Sequence, residues 1–224
     1  MTRAEVLQDL LANGTEHSSG TLRRSAAELD LPLADLLVIA GHPVPAHLRP
    51  PERDPEAVYA FINRGTYFSH SQLASLKDFV VSLAEERPAV EAVESAALIR
   101  KPSGSGEIVT GFIQNRGFPV DRLHYVTALA KSTIRRLLHG SPIGPRALRV
   151  VAFLLGWRFA DLAVVAGVEP EPGEVVRGLP CHHLGQVFIA AIPLTTEQLW
   201  QAVAEADRIG DERTNNRDTC PDTG

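Results

Sequence analysis

The chain has 224 residues, 44% of them hydrophobic and 22% charged, with a formal net charge of −5. These are ordinary figures for a soluble globular protein and exclude a uniformly basic nucleic-acid coat, though not one basic face on an acidic body. Two cysteines, Cys181 and Cys220, are too few for a disulfide framework. The N-terminus lacks an apolar stretch of signal-peptide length, and apolar runs such as LADLLVIAG are about half a membrane span, so the expectation is a soluble cytoplasmic protein.

In chain order, EVLQDLLANG (5–14) and TLRRSAAELDLPLADLLVIAG (21–41) read as helical, and the Pro-rich stretch 41–55 as a linker. In 56–99, Leu73, Leu76, Val80 and Leu83 recur at helical spacing behind a Ser cap. SLAEERPAVEAVESA (82–96) reads as a solvated helix interrupted by Pro88. RKPSGSGE (100–107) is a flexible joint and 168–180 a further Pro/Gly linker. Residues 181–209 form a C-terminal helical segment. QVFIAAI (186–192) looks β-like, but no strand–turn–strand series accompanies it. The tail 210–224 is too polar to offset its ordering entropy and is expected to be disordered. The predicted fold class is all-α.

A repeat joins two of these segments. Residues 21–41 match 147–167 without a gap, and Leu22, Arg23, Ala26, Leu29, Ala34, Asp35, Leu36, Val38, Ala40 and Gly41 find identical partners. Carried backwards, the offset sets Leu11 on Leu137 and Gly14 on Gly140. Carried forwards, it sets Gln72 and Leu73 on Gln198 and Leu199. The expectation is two tandem copies of one helical unit, joined by a helical linker, the first copy (1–45) partial because nothing precedes Met1 to match 107–127.

Charge distinguishes the copies. From 105 to 167 there are eight Lys or Arg against three acids, giving +5 there and −10 elsewhere. The unit reads as five helices: EIVTGFIQNRG, FPVDRLHYVTAL, a turn at Ala128–Ala130 leading to KSTIRRLLHG, GPRALRVVAFLLG, and RFADLAVVAG. Two short helices joined by a tight turn, the second rich in Lys, Ser, Thr and Arg, form a helix-turn-helix pattern. Lys131 can neutralise a phosphate, Ser132 and Thr133 can bond to base edges or phosphates, and Arg135 can fork onto guanine.

Residues 107–167 resemble the lambda-repressor-like, or XRE-family, helix-turn-helix domain (105–168). RGFPVDRLHYVTALAKSTIRRLLHG, LRVVAFLLGW and FADLAVVAG carry the resemblance. It implies a sequence-specific transcriptional regulator whose recognition helix, about 130–139, enters the major groove of double-stranded DNA. Lys131, Ser132, Thr133, Arg135 and Arg136 would touch DNA, with Arg146 and Arg149 on the backbone. The family often has Gly in the turn, where this chain has Ala128. Such domains usually act in pairs, so a homodimer is expected, joined outside 107–167, where the helices carry the stripes Leu73, Leu76, Val80, Leu83 and Leu199, Ala202, Val203. Some of that surface would pack inside the repeat, exposed Trp or Leu positions would make the two-fold interface, and the recognition helices would stand about 34 Å apart. The ungapped offset makes residues 5–14 the first copy's recognition helix. There Glu5 and Asp9 would repel phosphate, so that copy reads as degenerate.

The rival reading is a protein-interaction adaptor that kept the fold without DNA binding, using 1–99 or 181–209 for a protein partner. No phosphate loop, nucleophile elbow or carboxylate pair points to an enzyme. Cys181, His182 and His183 lack the further ligands a zinc site needs, so neither a metal nor a cofactor is expected.

Overall fold

A computed structural model describes residues 1–85, 102–119, 122–127, 129–139, 141, 144–169 and 182–218, and among them no strand occurs: the fold is all-α. α1 (Arg3–Asn13) opens on a capping box, the Thr2 hydroxyl accepting from the Glu5 N–H and the Glu5 carboxylate from the Thr2 N–H. A single 3-10 turn (Gly14–Glu16) leads to α2 (Ser19–Leu29), capped by Ser18, and α3 (Leu33–Ile39). The Pro-rich linker ends where Asp54 caps α4 (Pro55–Gly65), and α5 (His70–Glu85) follows. Then come α6 (Ser105–Asn115), α7 (Leu123–Thr127), α8 (Lys131–Leu138), α9 (Pro145–Leu155), α10 (Phe159–Ala166), α11 (His182–Ala190) and α12 (Thr196–Asp218).

The β-like stretch 186–192 lies mostly in α11. That helix is held between α5 and α9, burying Leu184, Val187 and Phe188, so its polar residues end at Gln186 and the stretch 187–190 carries none to mark a helical period. α12 continues to Asp218, through most of the tail expected to be disordered; no Pro or Gly interrupts residues 211–218. Most of the interrupted helix expected at 82–96, and the linker 170–180, lie outside the described residues.

Helix positions follow the sequence repeat. α2 and α9 start and end 126 residues apart, α3 and α10 start 126 apart, and so do α5 and α12. The two sets pair crosswise: α4 packs on α12, α5 on α11, and α5 against α12 between them. Two equivalent hydrogen bonds link the sets. Gln72 Nε2 donates to the Ile209 carbonyl at 3.2 Å, and Gln198 Nε2 donates to the Leu83 carbonyl at 2.7 Å. Each glutamine also caps its own helix, accepting from the N–H of Ser69 and of Thr195. The apolar stripes of α5 and α12 are therefore closed on each other inside the chain. Leu73, Leu76, Val80, Leu83, Leu199, Ala202 and Val203 are all buried.

The first half departs from expectation at α1. α1 packs on α10 as α6 packs on α3, so each caps the last helix of the other half's repeated pair. α1 and α6 match in length, in Glu5 and Glu107 at the third position, and in burying Val6, Leu7 and Leu10 against Ile108, Val109 and Phe112. Their offset is 102 residues, not 126; the difference, 126 minus 102, means 24 more residues lie between α6 and α9 than between α1 and α2. Those residues include α7 and α8. Thus α1 stands in the place of α6 and is not a decayed recognition helix.

One difference between the halves has a local cause. α9 packs closely on α11 because Gly156 (φ 71°) and Gly185 meet there: a Cβ on Gly185 would lie 2.3 Å from the Gly156 Cα. At the matching positions the first half has Asp30 and Tyr59, and α2 makes no comparable contact with α4.

A buried carboxylate ties the halves together. Asp35 of α3, fully buried, accepts from Asn115 Nδ2 (2.9 Å), Arg116 Nη1 (3.0 Å), Arg116 Nη2 (2.8 Å) and Trp157 Nε1 (2.8 Å). Arg116, fully buried too, spends its other donors on the carbonyls of Phe112 and Leu155, and Trp157 stacks on Phe112 with centroids 4.7 Å apart. The repeat partner Asp161 accepts instead from Arg3 Nε (3.0 Å) and Nη2 (2.6 Å), at the start of α1. Asp35→Ala strands the Arg116 guanidinium in the core and is expected to destabilise the fold by about 3–5 kcal/mol, measured by denaturant unfolding. A loss below about 1 kcal/mol would show that the cluster does not join the halves.

Candidate nucleic-acid interface

α8 is an eight-residue helix with two faces. Ile134 and Leu137 are buried, and α8 packs on α6 and α7. Lys131, Ser132, Arg135 and Arg136 are exposed, and Thr133 is half-buried. Ser132 and Arg135 stand three apart and Lys131 and Arg135 four apart, so these groups share one solvent-facing surface.

The approach to α8 is compact. Thr127, buried at the end of α7, donates its hydroxyl to the Leu123 carbonyl (2.6 Å) and accepts from the Leu129 N–H (3.4 Å). Ala130 is extended (φ −61°, ψ 144°), and its carbonyl receives the Thr133 and Ile134 N–H groups. Leu129 and Ala130 thus lie between the two short helices, within the turn the sequence places at 128–130; residue 128 lies outside the described residues. The second helix begins only at Leu123, and residues 120 and 121 lie outside the described residues.

The electrostatics of α8 are one-sided. It contains three cations and no acid. Lys131 and Arg135, four apart, repel one another. Arg135 and Arg136 in the last turn are favoured by the helix dipole, but Lys131 in the first turn opposes it. Ala130 offers no side chain to the free N–H groups of that turn. Lys131 therefore stands at the N-terminal end and Arg135 and Arg136 at the other, so the cations run the length of the helix.

The other expected contacts lie on α9. Arg146 is exposed in its first turn. Arg149 is half-buried, its guanidinium carbon 4.7 Å from the Phe159 ring centroid. Not all the cations counted in 105–167 reach solvent. Arg116 is neutralised in the core by Asp35, and Arg122 pairs with Glu56 of α4. The sequence signal for the first was present: Asp35 and Asp161 are lone acids in apolar helices, which calls for a buried donor. Arg53, which sequence reasoning passed over, bridges the same region: it donates to the carbonyls of Arg116 and Ala191, and burial pulls its guanidinium down to about 10.

Among the described residues no group of three or more metal-ligating side chains forms, and no helix is long and apolar enough to cross a membrane. The His183 ring lies 3.7 Å from that of His70, and Cys181 lies outside the described residues. Trp157 is buried in the core, whereas Trp200 is 44% exposed.

The two faces of α8 predict opposite mutational costs. Ile134→Ala is expected to lose about 2–4 kcal/mol of stability, and Arg135→Ala less than about 0.5 kcal/mol, by chemical denaturation. A large loss at Arg135 would mean that its guanidinium serves the fold. Comparison with protein-family models, with curated proteins and with solved structures gives no match.

Proposed function

We propose that this chain is a sequence-specific DNA-binding regulator of transcription, with α8 as its recognition helix in the major groove. One observation carries the reading. The 24 extra residues of the second half (the 126- and 102-residue offsets) include a short helix, a tight turn and a helix whose exposed face is Lys131, Ser132, Arg135 and Arg136. α8 buries only Ile134 and Leu137, and directs like charges into solvent at some cost in repulsion. Phosphate relieves that repulsion, and Ser132, Thr133 and Arg135 have the donors and acceptors to read base edges. Arg146 and Arg149 supply backbone contacts beside it. The resemblance of 107–167 to the XRE family agrees with this reading, and the few cysteines go with the cytoplasmic location proposed here. The adaptor reading leaves the one-sided charge of α8 without a purpose.

Arg135→Ala is expected to lower affinity for a preferred duplex at least tenfold, since a bidentate base contact is worth about 1–3 kcal/mol. Arg146→Ala should weaken binding evenly across sequences and reduce the salt slope by about 1. Fluorescence anisotropy over a salt series measures both. Wild-type affinity in a folded Arg135→Ala variant would remove α8 from the interface.

A further inference from the structure

We infer that the chain is its own dimer partner and takes as its ligand a single undivided DNA half-site, one chain per site, rather than an inverted repeat. The inference rests on the DNA-binding reading for its ligand and on the packing for its stoichiometry.

The packing is that of two related subunits brought into one chain. α4 and α5 of the first half meet α12 and α11 of the second, and α1 and α6 each pack on the other half's α10 and α3. Gln72 reaches the Ile209 carbonyl as Gln198 reaches that of Leu83, and Ile209 is the 126-residue repeat position of Leu83. A rotation exchanging the halves exchanges these bonds, which is the reciprocity of a two-fold interface. The surfaces that would join two chains are occupied inside one. Of the large apolar side chains among the described residues, only Met1, Tyr67, Val81 and Trp200 are exposed. Obligate dimers bury roughly 2,000 Å² or more of largely apolar surface, and four side chains do not supply that.

The pairing is symmetric, but the reading apparatus is not. Where the second half inserts α7 and α8, the first half runs from α1 to α2 through the turn Gly14–Glu16 and its flanking residues. Exposed Thr15, Glu16 and Ser18 stand there, with His17 Nε2 2.9 Å from the Asp9 carboxylate. No cationic helix occupies the place related to α8. A two-fold scaffold with one reading helix matches one half-site and offers nothing to a second half-site one helical turn away.

Two measurements test this. Light scattering of the free full-length protein should give the mass of one chain, 24.3 kDa, up to tens of micromolar; a mass of two chains overturns the inference. Selection from a pool of random duplexes about 20 bp long, at low salt, should enrich one non-palindromic motif bound by one chain with a Hill slope of about 1. Enrichment of an inverted repeat with half-sites about 10 bp apart, bound by two chains, overturns the single-site ligand while leaving DNA binding intact. A one-chain protein that binds no duplex overturns the DNA-binding reading itself, and the ligand inferred here with it.

Discussion

Asp35 carries the constraint on which the arrangement turns. A carboxylate with no exposed surface is tolerated only when its lone pairs are filled, and four hydrogen bonds from Asn115, Arg116 and Trp157 fill them. Those donors come from the end of α6 and from the turn between α9 and α10, so the charge is satisfied only when the two halves are together. Satisfying Asp35 fixes α6 on α3, and α6 in turn supports α8. The basic unit of 105–167 is thus built onto the first half and does not stand apart from it.

The crossed pairing of α4 and α5 with α12 and α11 does the same work with apolar surface. Gln72 and Gln198 register the two helix pairs, because each must both cap its own helix and reach a carbonyl across the interface. This symmetric frame carries an asymmetric load. Gly156 and Gly185 let α9 approach α11 closely, whereas the first half has Asp30 and Tyr59 at the matching positions and no comparable contact between α2 and α4. Only the second half has the residues that form α7 and α8. Under the DNA-binding proposal, a frame that holds one recognition helix accounts for that difference.

Much of this was legible in the sequence, for local reasons. α2, α3, α9 and α10 stand in the ungapped repeat, whose identities include the buried Leu22, Ala26, Leu29, Leu36 and their partners. α8 declared itself through three apolar residues, Ile134, Leu137 and Leu138, on an otherwise polar, cationic segment. The identity of α1 was hidden because an ungapped offset aligned Leu11 with Leu137 and Gly14 with Gly140, and single Leu and Gly matches recur by chance in helical sequences. Only the packing on α10, set beside that of α6 on α3, shows the 102-residue offset. Arg116 entered only the charge count of 105–167: the lone Asp35 of an apolar helix signals a buried donor, but with the partner 81 residues away nothing in the sequence says which donor it is. α11 was obscure because packing between two helices leaves its second half, 187–190, without a polar residue.

The central claim is that the two halves pair with each other inside one chain. Nuclear Overhauser contacts between methyl groups of α5 and α12, from Leu76, Val80 and Leu83 to Leu199, Val203 and Ile209, test it most directly. They are to be recorded on a uniformly labelled sample and on an equal mixture of labelled and unlabelled chains filtered for contacts between the two. The account predicts these contacts in the first sample and none in the filtered mixture. Contacts between labelled and unlabelled chains would show that α5 meets the α12 of another molecule, and would contradict it.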